Sequence, residues 1–191
     1  MNGTFFIVMG PTGSGKSTLM KHVIAQFPDV LVPPSFTTRD RRPSEIENSH
    51  YTFVDKNTFT AMVEKGEFLE WAEFSGNFYG TLKETVIVPL AEGKVLFTEM
   101  EVQGVRQARA LLPAEQVKVV FIDAGPWEEL EARIRARAPI TDEEIAKRKQ
   151  RYEDEMTYKD EADIVISNHS GEIETAKETF ANLIRDAIHA S

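Results

Sequence analysis

The sequence predicts an α/β domain in which helices flank a parallel sheet on both faces, giving three layers. Short and almost continuously apolar runs, typical of strands buried on both faces, occur at 4–9, 94–98, 117–122 and 164–167. Longer amphipathic segments, typical of helices, occur at 16–26, 82–91, 102–112, 126–138, 142–159 and 172–189. Because strands and helices alternate, we expect βαβ units with right-handed crossovers. The length of 191 residues fits one domain.

Two of the predicted helix starts carry a capping box, in which a hydroxyl and a carboxylate satisfy amides of the first turn. The pairs are Thr81 with Glu84 and Thr141 with Glu144. Pro126 suits a first helical position, where its missing N–H costs nothing. These residues predict where three of the helices begin.

The segment 35–81 interrupts the alternation of strands and helices. Its first part is rich in Arg, Pro, Ser and Asn, and short aromatic strands are predicted at 51–54, 68–74 and 77–79. One helix is predicted near 57–65. We interpret the segment as an inserted subdomain of mixed strands with antiparallel character.

Composition excludes several classes of protein. The 31 acidic and 22 basic residues give a formal net charge of -9, so we expect no general nucleic-acid or membrane-surface binding. The cysteine count of zero excludes disulfides and thiolate metal sites and fits a reducing compartment, so we expect the cytoplasm. The N-terminal apolar run lacks the length of a membrane span and the basic region of a signal peptide. The histidines and tryptophans show no ligand pattern, and the tryptophans are expected in the core.

A glycine-rich loop, GPTGSGKS, directly follows the first predicted strand and precedes a helix. This is the P-loop pattern, in which main-chain N–H groups curl around phosphate oxygens and the helix N-terminus adds positive charge. Its expected ATP contacts are Gly10, Pro11, Thr12, Gly13, Ser14, Gly15, Lys16, Ser17 and Thr18. Lys16 reaches the β- and γ-phosphates, and the Ser17 hydroxyl is the expected ligand of Mg²⁺. We therefore predict a P-loop NTPase-like fold; the alternative is an ordinary glycine-rich turn.

Basic residues cluster in two other places in this acidic chain. One cluster opens the insertion and the other surrounds 138–141. Because guanidinium groups match phosphate oxygens in pairs, two clusters indicate a kinase that binds a second phosphorylated molecule. The alternative is surface arginines paired with nearby glutamates, and it is at least as good for Arg135 and Lys149. The clusters comprise Arg39, Arg41 and Arg42, and Arg133, Arg135, Arg137, Lys147, Arg148, Lys149 and Arg151.

Several stretches resemble the guanylate kinase family. Residues 35–53, SFTTRDRRPSEIENSHYTF, are similar to the GMP-binding segment of that family, and 68–81, FLEWAEFSGNFYGT, to the stretch that follows it. The sequence VQG at 102–104, the basic stretch and IVISN at 164–168 also match. The resemblance runs from about Phe5 to Asn168 and is more specific than the P-loop alone.

The resemblance implies an Mg²⁺-dependent transfer of the γ-phosphate of ATP to GMP, and also to dGMP. The implied GMP site comprises Ser35, Arg39, Arg42, Tyr51, Glu70, Tyr79, Thr81, Glu99 and Glu101. Within it Arg39, Arg42 and the two tyrosines hold the phosphate, and Ser35, Glu70 and Thr81 read the guanine. A carboxylate can accept both the N1 and N2 hydrogens of guanine, and adenine offers no such pair. Without Arg39, Arg42 and Tyr51, Glu70 would be better interpreted as a surface carboxylate on a strand.

The implied catalytic residues are Lys16, Arg39, Arg133, Arg137 and Arg148, and Asn168 joins the ATP site. Arginines that surround the transferring phosphoryl group lower the barrier by electrostatics and positioning. No general base is assigned, because the acceptor phosphate is already ionised.

The implied organisation is a core of 1–34, 82–125 and 160–191, a GMP-binding insertion at 35–81 and a helical lid at 126–159. The chain departs from the family at Glu99 and Glu101, which replace an Asp pair, and at Ser44 and Asn48, which replace glycines. Two other functions stay open: a non-catalytic protein-interaction module of this type, and a P-loop kinase with another small phosphorylated acceptor. A monomer and a homodimer are both open.

Overall fold

The computed structural model describes residues 3–41, 51–74, 76–137 and 139–190. The strands are β1 Thr4–Met9, β2 Ser35–Thr37, β3 Tyr51–Phe53, β4 Phe68–Phe74, β5 Asn77–Leu82, β6 Val95–Glu99, β7 Val117–Asp123 and β8 Ile164–Ser167. The α-helices are α1 Lys16–Gln26, α2 Lys56–Glu64, α3 Glu84–Ala91, α4 Val102–Leu111, α5 Trp127–Arg137, α6 Asp142–Met156 and α7 Ile173–Ala190. Two short 3₁₀ helices in this part of the chain span Ala114–Gln116 and Lys159–Glu161. None of the helices described has both the length and the apolar character needed to cross a bilayer.

The first sheet has the strand order β6-β1-β7-β8, and β7 and β8 pair in parallel. Its strands are buried as the continuous apolar runs predicted: every residue from Phe5 to Met9 is buried, and so are Val119 to Asp123. The α/β fold class predicted from these runs is confirmed, with most element boundaries within one or two residues of those expected.

The chain divides into two compact units, which are described separately. One comprises Met1–Phe6 and Val30–Val117, and the other comprises Ile7–Asp29 and Lys118–Ala190. The division into core, insertion and lid remains a prediction.

The first unit contains the second sheet, of order β3-β2-β5-β4. It is mixed, because β2 pairs in parallel with β3 and antiparallel with β5, while β4 and β5 form an antiparallel pair. Helix α2 lays Phe59 on this sheet, where its ring stacks on Phe68 at 4.4 Å and on Phe78 at 5.4 Å between centroids. The strand β2 was missed from the sequence, because it holds one aromatic residue between two hydroxyl side chains, whereas the equally short β3 holds two aromatic residues.

One of the two predicted capping boxes is confirmed and the other is wrong. At the start of α6 the Thr141 hydroxyl accepts a hydrogen bond from the Glu144 amide at 3.3 Å, and the Glu144 carboxylate accepts one from the Thr141 amide at 3.4 Å. Thr81 instead lies in β5, and the residue that precedes α3 is Lys83. Strand pairing has overridden the local capping signal there.

The two tryptophans differ in burial. Trp127 is buried at the start of α5, as expected, whereas Trp71 is 38% exposed on β4. The expectation of a core position was wrong for Trp71, because β4 is an edge strand of its sheet among the residues that the structure describes, and edge positions are more open to solvent.

We expect Thr141→Ala to lower the free energy of unfolding by about 1 kcal/mol, because the first turn of α6 loses its side-chain cap. Urea denaturation followed by circular dichroism measures the change. Thr179→Ala is the matched control, since its hydroxyl bonds to the Thr175 carbonyl within a helix, where threonine gives no capping. Equal losses in both variants would contradict the capping role.

Candidate active site

The glycine loop between β1 and α1 has the backbone geometry of a phosphate cradle. Gly10, Gly13 and Gly15 have φ of 137°, 92° and 97°, in the region that favours glycine. At Gly10 the neighbouring strand also leaves no space, since a Cβ would lie 2.6 Å from the carbonyl oxygen of Ile122. This conformation is the one in which successive N–H groups can converge on an anion.

Lys16 begins α1 directly after the loop and folds back over it. Its ammonium donates to the carbonyl oxygens of Gly10 and Pro11, at 2.5 and 3.1 Å. The positive charge therefore lies at the loop, together with the N-terminal end of the helix. The remaining loop and helix-start positions differ in exposure: Thr12, Gly13, Ser17 and Thr18 are exposed, and Ser14 is buried.

Asn168, one residue beyond β8, supports the glycine loop. Its side-chain amide donates to the Ser14 carbonyl at 2.6 Å, and its main-chain N–H donates to the Asp123 carbonyl at 2.7 Å. Asn168 is 4% exposed, and a Cβ on Gly15 would collide with its amide. The structure thus brings Asn168 to the loop.

Arg133 on α5 contacts the same region. Its guanidinium donates to the Asn168 carbonyl at 2.9 Å and to the Ser170 hydroxyl at 3.4 Å, and it lies 3.8 Å from the Glu129 carboxylate. It is therefore placed beside the residue that supports the cradle. Arg148 is half-buried on α6.

Arg135 shows the surface pairing left open by the sequence. Its guanidinium lies 2.8 Å from both Glu131 and Asp142. These bonds to two carboxylates raise the pKa of Arg135 above its ordinary value. Arg135 is therefore paired with two nearby carboxylates, as the surface alternative predicted.

A second group of predicted site residues lies around β2. Register places Ser35 opposite Tyr51 of β3 on one side and Thr81 of β5 on the other, and Thr37 opposite Tyr79. A short central strand thus brings together predicted residues that are more than forty positions apart in the sequence. This convergence depends on strand pairing.

Arg39 follows β2 and lies among aromatic rings. Its guanidinium carbon is 5.3 Å from the ring centroid of Tyr51 and 5.5 Å from that of Phe53. The Tyr51 and Tyr79 rings meet edge to face at 6.4 Å. Cation–π contact restrains the arginine beside two tyrosines, which is a suitable arrangement for binding a phosphate group.

Glu70 on β4 is a buried carboxylate, 9% exposed. Its Oε1 accepts a hydrogen bond from the Thr81 hydroxyl at 2.7 Å. Burial raises the pKa of Glu70 from 4.5 to about 7; the bonds from Thr81 oppose the shift, and the negative charge of Glu101 adds to it. A ligand that brings hydrogen-bond donors would therefore stabilise the ionised form of this carboxylate.

Two residues of α4 lie against β4 near Glu70 and were not assigned roles from the sequence. A Cβ on Gly104 would lie 2.9 Å from Glu70 Oε2, so glycine gives the carboxylate its space. Gln107, one turn later, accepts from the Trp71 main-chain N–H at 3.2 Å and donates to its carbonyl at 3.0 Å. Their spacing of three along a helix was the available signal.

The remaining predicted site residues are either exposed or outside the described residues. Glu99 at the end of β6 and Glu101 before α4 are exposed. Arg42 and the side chain of Arg137 lie outside the described residues. Across the described ranges, no cluster of three histidine or acidic side chains is arranged to hold a metal ion.

We expect Glu70→Gln to raise the melting temperature, and to raise it more at about pH 8 than at about pH 5. The folded pKa of about 7 exceeds the unfolded value of 4.5, so stability falls as pH rises between them and stays low above the folded pKa. Glutamine removes this cost. Differential scanning calorimetry measures it, with Glu73→Gln, exposed on the same strand, as control. A pH-independent gain would contradict the burial of the charge.

Comparison with known proteins gives one family. The family model described as "Guanylate kinase" matches residues 2–187. A guanylate kinase from Trichormus variabilis is 41% identical over 167 residues, covering 87% of this chain and 83% of the relative. One from Aliivibrio fischeri is 40% identical over 185 residues, covering 96% and 87%. The crystal structure of guanylate kinase from Anaplasma phagocytophilum shares the fold, with a TM-score of 0.74 and 24% identity over 97% of this chain and 86% of that one. The chain belongs to the guanylate kinase family.

Proposed function

We propose that this chain is a nucleoside monophosphate kinase that transfers the γ-phosphate of ATP to GMP and to dGMP. The observation that carries the proposal is the buried Glu70 carboxylate in the sheet whose strand β2 leads to Arg39. This pairing suits a ligand with hydrogen-bond donors at one end and an anion at the other. GMP has this pattern of groups. The relatives of this chain are named guanylate kinases, which agrees with GMP as the acceptor.

The acceptor residues divide by the part of GMP that they bind. Ser35, Glu70 and Thr81 bind the guanine, since the Glu70 carboxylate accepts from N1 and N2 while Thr81 orients it. The phosphate is bound by Arg39, Arg42, Tyr51 and Tyr79, and Glu99 and Glu101 lie at the acceptor side. A base without the two donors would leave the buried carboxylate unpaired, which is why the contact selects guanine.

The donor, ATP, binds at the glycine loop from Gly10 to Thr18. Main-chain N–H groups hold its phosphates, and Lys16 exchanges the loop carbonyls for oxygens of the β- and γ-phosphates. Asn168 supports the loop through the hydrogen bond that its amide donates to the Ser14 carbonyl.

Ser17 is the residue that we assign to the Mg²⁺ that accompanies ATP. It is exposed directly after Lys16, at the start of α1. One protein hydroxyl fits the usual coordination of this ion, which takes its other oxygens from phosphate and water. Mg²⁺ held by the Ser17 hydroxyl would neutralise negative charge on the phosphates of ATP.

Transfer joins an ionised oxygen of the GMP phosphate to the γ-phosphorus and breaks the bond between that phosphorus and the β–γ bridging oxygen, releasing ADP. The acceptor oxygen needs no general base, because it is already ionised at neutral pH. Arg133, Arg137, Arg148 and Lys16 stabilise charge on the transferring group, and Arg39 holds the acceptor.

We extend the proposal to the organisation of the chain. Residues 35–81 form the GMP-binding insertion, and 126–159 form a lid that carries the arginines of transfer. The reaction takes place in the cytoplasm, in keeping with the absence of cysteine from the sequence.

We expect ADP release with GMP and dGMP and at least about a thousandfold lower kcat/KM with AMP, CMP or UMP, because only guanine pairs with Glu70. A coupled assay of ADP release across the five acceptors measures this. Lys16→Met serves as the negative control, since it removes the charge at the loop. Equal rates with AMP and GMP, or no release with any acceptor, would overturn the proposal.

We expect Glu70→Gln to weaken GMP binding by roughly a hundredfold, because a charge-assisted pair of hydrogen bonds is lost, while ATP binding is unchanged. Isothermal titration calorimetry with each nucleotide alone measures both constants. In the wild type, GMP affinity should rise as pH increases through about 7, where Glu70 ionises.

The variant also separates Glu70 from the titration of the GMP phosphate itself. The part of the pH dependence that disappears in Glu70→Gln belongs to the carboxylate. An unchanged GMP affinity in the variant would mean that another residue reads the base.

A further inference from the structure

Asp123, the last residue of β7, is a buried carboxylate that the proposed mechanism leaves without a role. Its side chain is 10% exposed. Oδ1 accepts from the Gly125 main-chain N–H at 3.0 Å, and Oδ2 accepts from the Lys159 ammonium at 2.7 Å, with His169 Nε2 at 3.5 Å. Three segments of the chain therefore meet at one side chain.

Two of these segments are the two ends of the α5–α6 region. Gly125 lies two residues before α5, and Lys159 lies three residues after α6, in the 3₁₀ helix that leads to β8. Tyr152 of α6 also donates to the Gly125 carbonyl at 3.1 Å. One carboxylate thus joins the start and the end of the segment that carries Arg133 and Arg148.

The third segment is the turn after β8. The Asp123 carbonyl accepts from the Asn168 main-chain N–H, and Asn168 in turn holds the Ser14 carbonyl of the glycine loop. Arg133 of α5 also donates a hydrogen bond to the Asn168 carbonyl. The same residue therefore connects the ends of α5–α6 with the glycine loop.

The electrostatics of the Asp123–Lys159 pair indicate that it positions the segments that it joins more than it stabilises the fold. Burial alone would raise the pKa of Asp123, but the bonds from Lys159 and the Gly125 amide outweigh it and hold the pKa below its ordinary value. The pKa of Lys159 is raised, chiefly by its bond to Asp123. A partly buried ion pair adds little net stability relative to an apolar pair, because desolvation offsets attraction.

We infer that Asp123, paired with Lys159, is a positioning residue for the donor nucleotide: it fixes both ends of α5–α6 and the Asn168 turn so that Arg133 and the glycine loop keep one relative placement. The inference rests on the proposed function for the identity of the donor, ATP. Asp123 acts through other residues and is not assigned a contact with ATP.

The test compares Asp123→Asn, Lys159→Met and the double variant by isothermal titration calorimetry with ATP and, separately, with GMP. We expect each single variant to raise the dissociation constant for ATP about tenfold, because a small misplacement of binding groups has a large effect. The double variant should be no weaker than the worse single one, since both changes break one pair. The dissociation constant for GMP should stay unchanged.

Asp163→Asn is the matched control. Its carboxylate also links the two strands, accepting from the Val119 N–H at 2.7 Å, but just before β8 begins, at the opposite end of that strand from Asn168. We expect it to lower the melting temperature without changing ATP affinity. Lys159→Met changes a partly exposed side chain, so it keeps the test decisive if Asp123→Asn fails to fold.

Unchanged ATP affinity in both single variants would overturn the inference, and so would equal losses for ATP and GMP or additive effects in the double variant. The ADP-release assay separates these outcomes from failure of the proposed function. A wild type that binds ATP and shows the non-additive cycle without transferring phosphate to GMP would overturn only the function. A wild type that does not bind ATP would overturn both.

Discussion

Hydrogen bonds at the carboxyl ends of β7 and β8 are the constraint on which the glycine loop, the proposed ATP site, depends. A loop with three glycines at positive φ has little conformational preference of its own, and glycine loses more freedom on ordering than other residues. Here the loop is held from outside: the Asn168 amide binds the Ser14 carbonyl, and the Ile122 main chain lies against Gly10. Ordering the loop before a ligand arrives reduces the entropy lost on binding.

The proposed acceptor site around Glu70 depends on the burial of a charge, whereas the glycine loop depends on backbone geometry. Glu70 is kept among Thr81, Gly104 and the neighbouring strand, where its ionised form is costly. A ligand with two suitably spaced donors repays this cost, and a ligand without them cannot. In the proposed function, selectivity and the reduced stability of the unliganded protein therefore have one physical origin, which is the desolvation of a carboxylate.

Much of the fold could be predicted from local patterns. The boundaries of β1 and α1 were predicted correctly, because a run of apolar residues, a glycine loop and an amphipathic helix each leave a local signal. Errors occurred where tertiary contacts compete with local ones. Thr81 has the sequence context of a helix cap but pairs in β5, and Trp71 has an apolar side chain but lies on an edge strand. The resemblance to a family supplied the roles that we propose for the GMP-binding residues, which spacing alone did not give.

By itself, the sequence determined the loop that we propose as the phosphate cradle, since the P-loop pattern is contiguous and its geometry lies in the backbone of one short segment. It also determined the residue types available for an acceptor site. Only the tertiary structure decided that Ser35, Tyr51 and Thr81 share one level of a sheet, that Glu70 is buried, and that Asp123 meets Lys159 and Gly125. These contacts join residues distant in sequence, and strand order and burial, which depend on the whole chain, determine them.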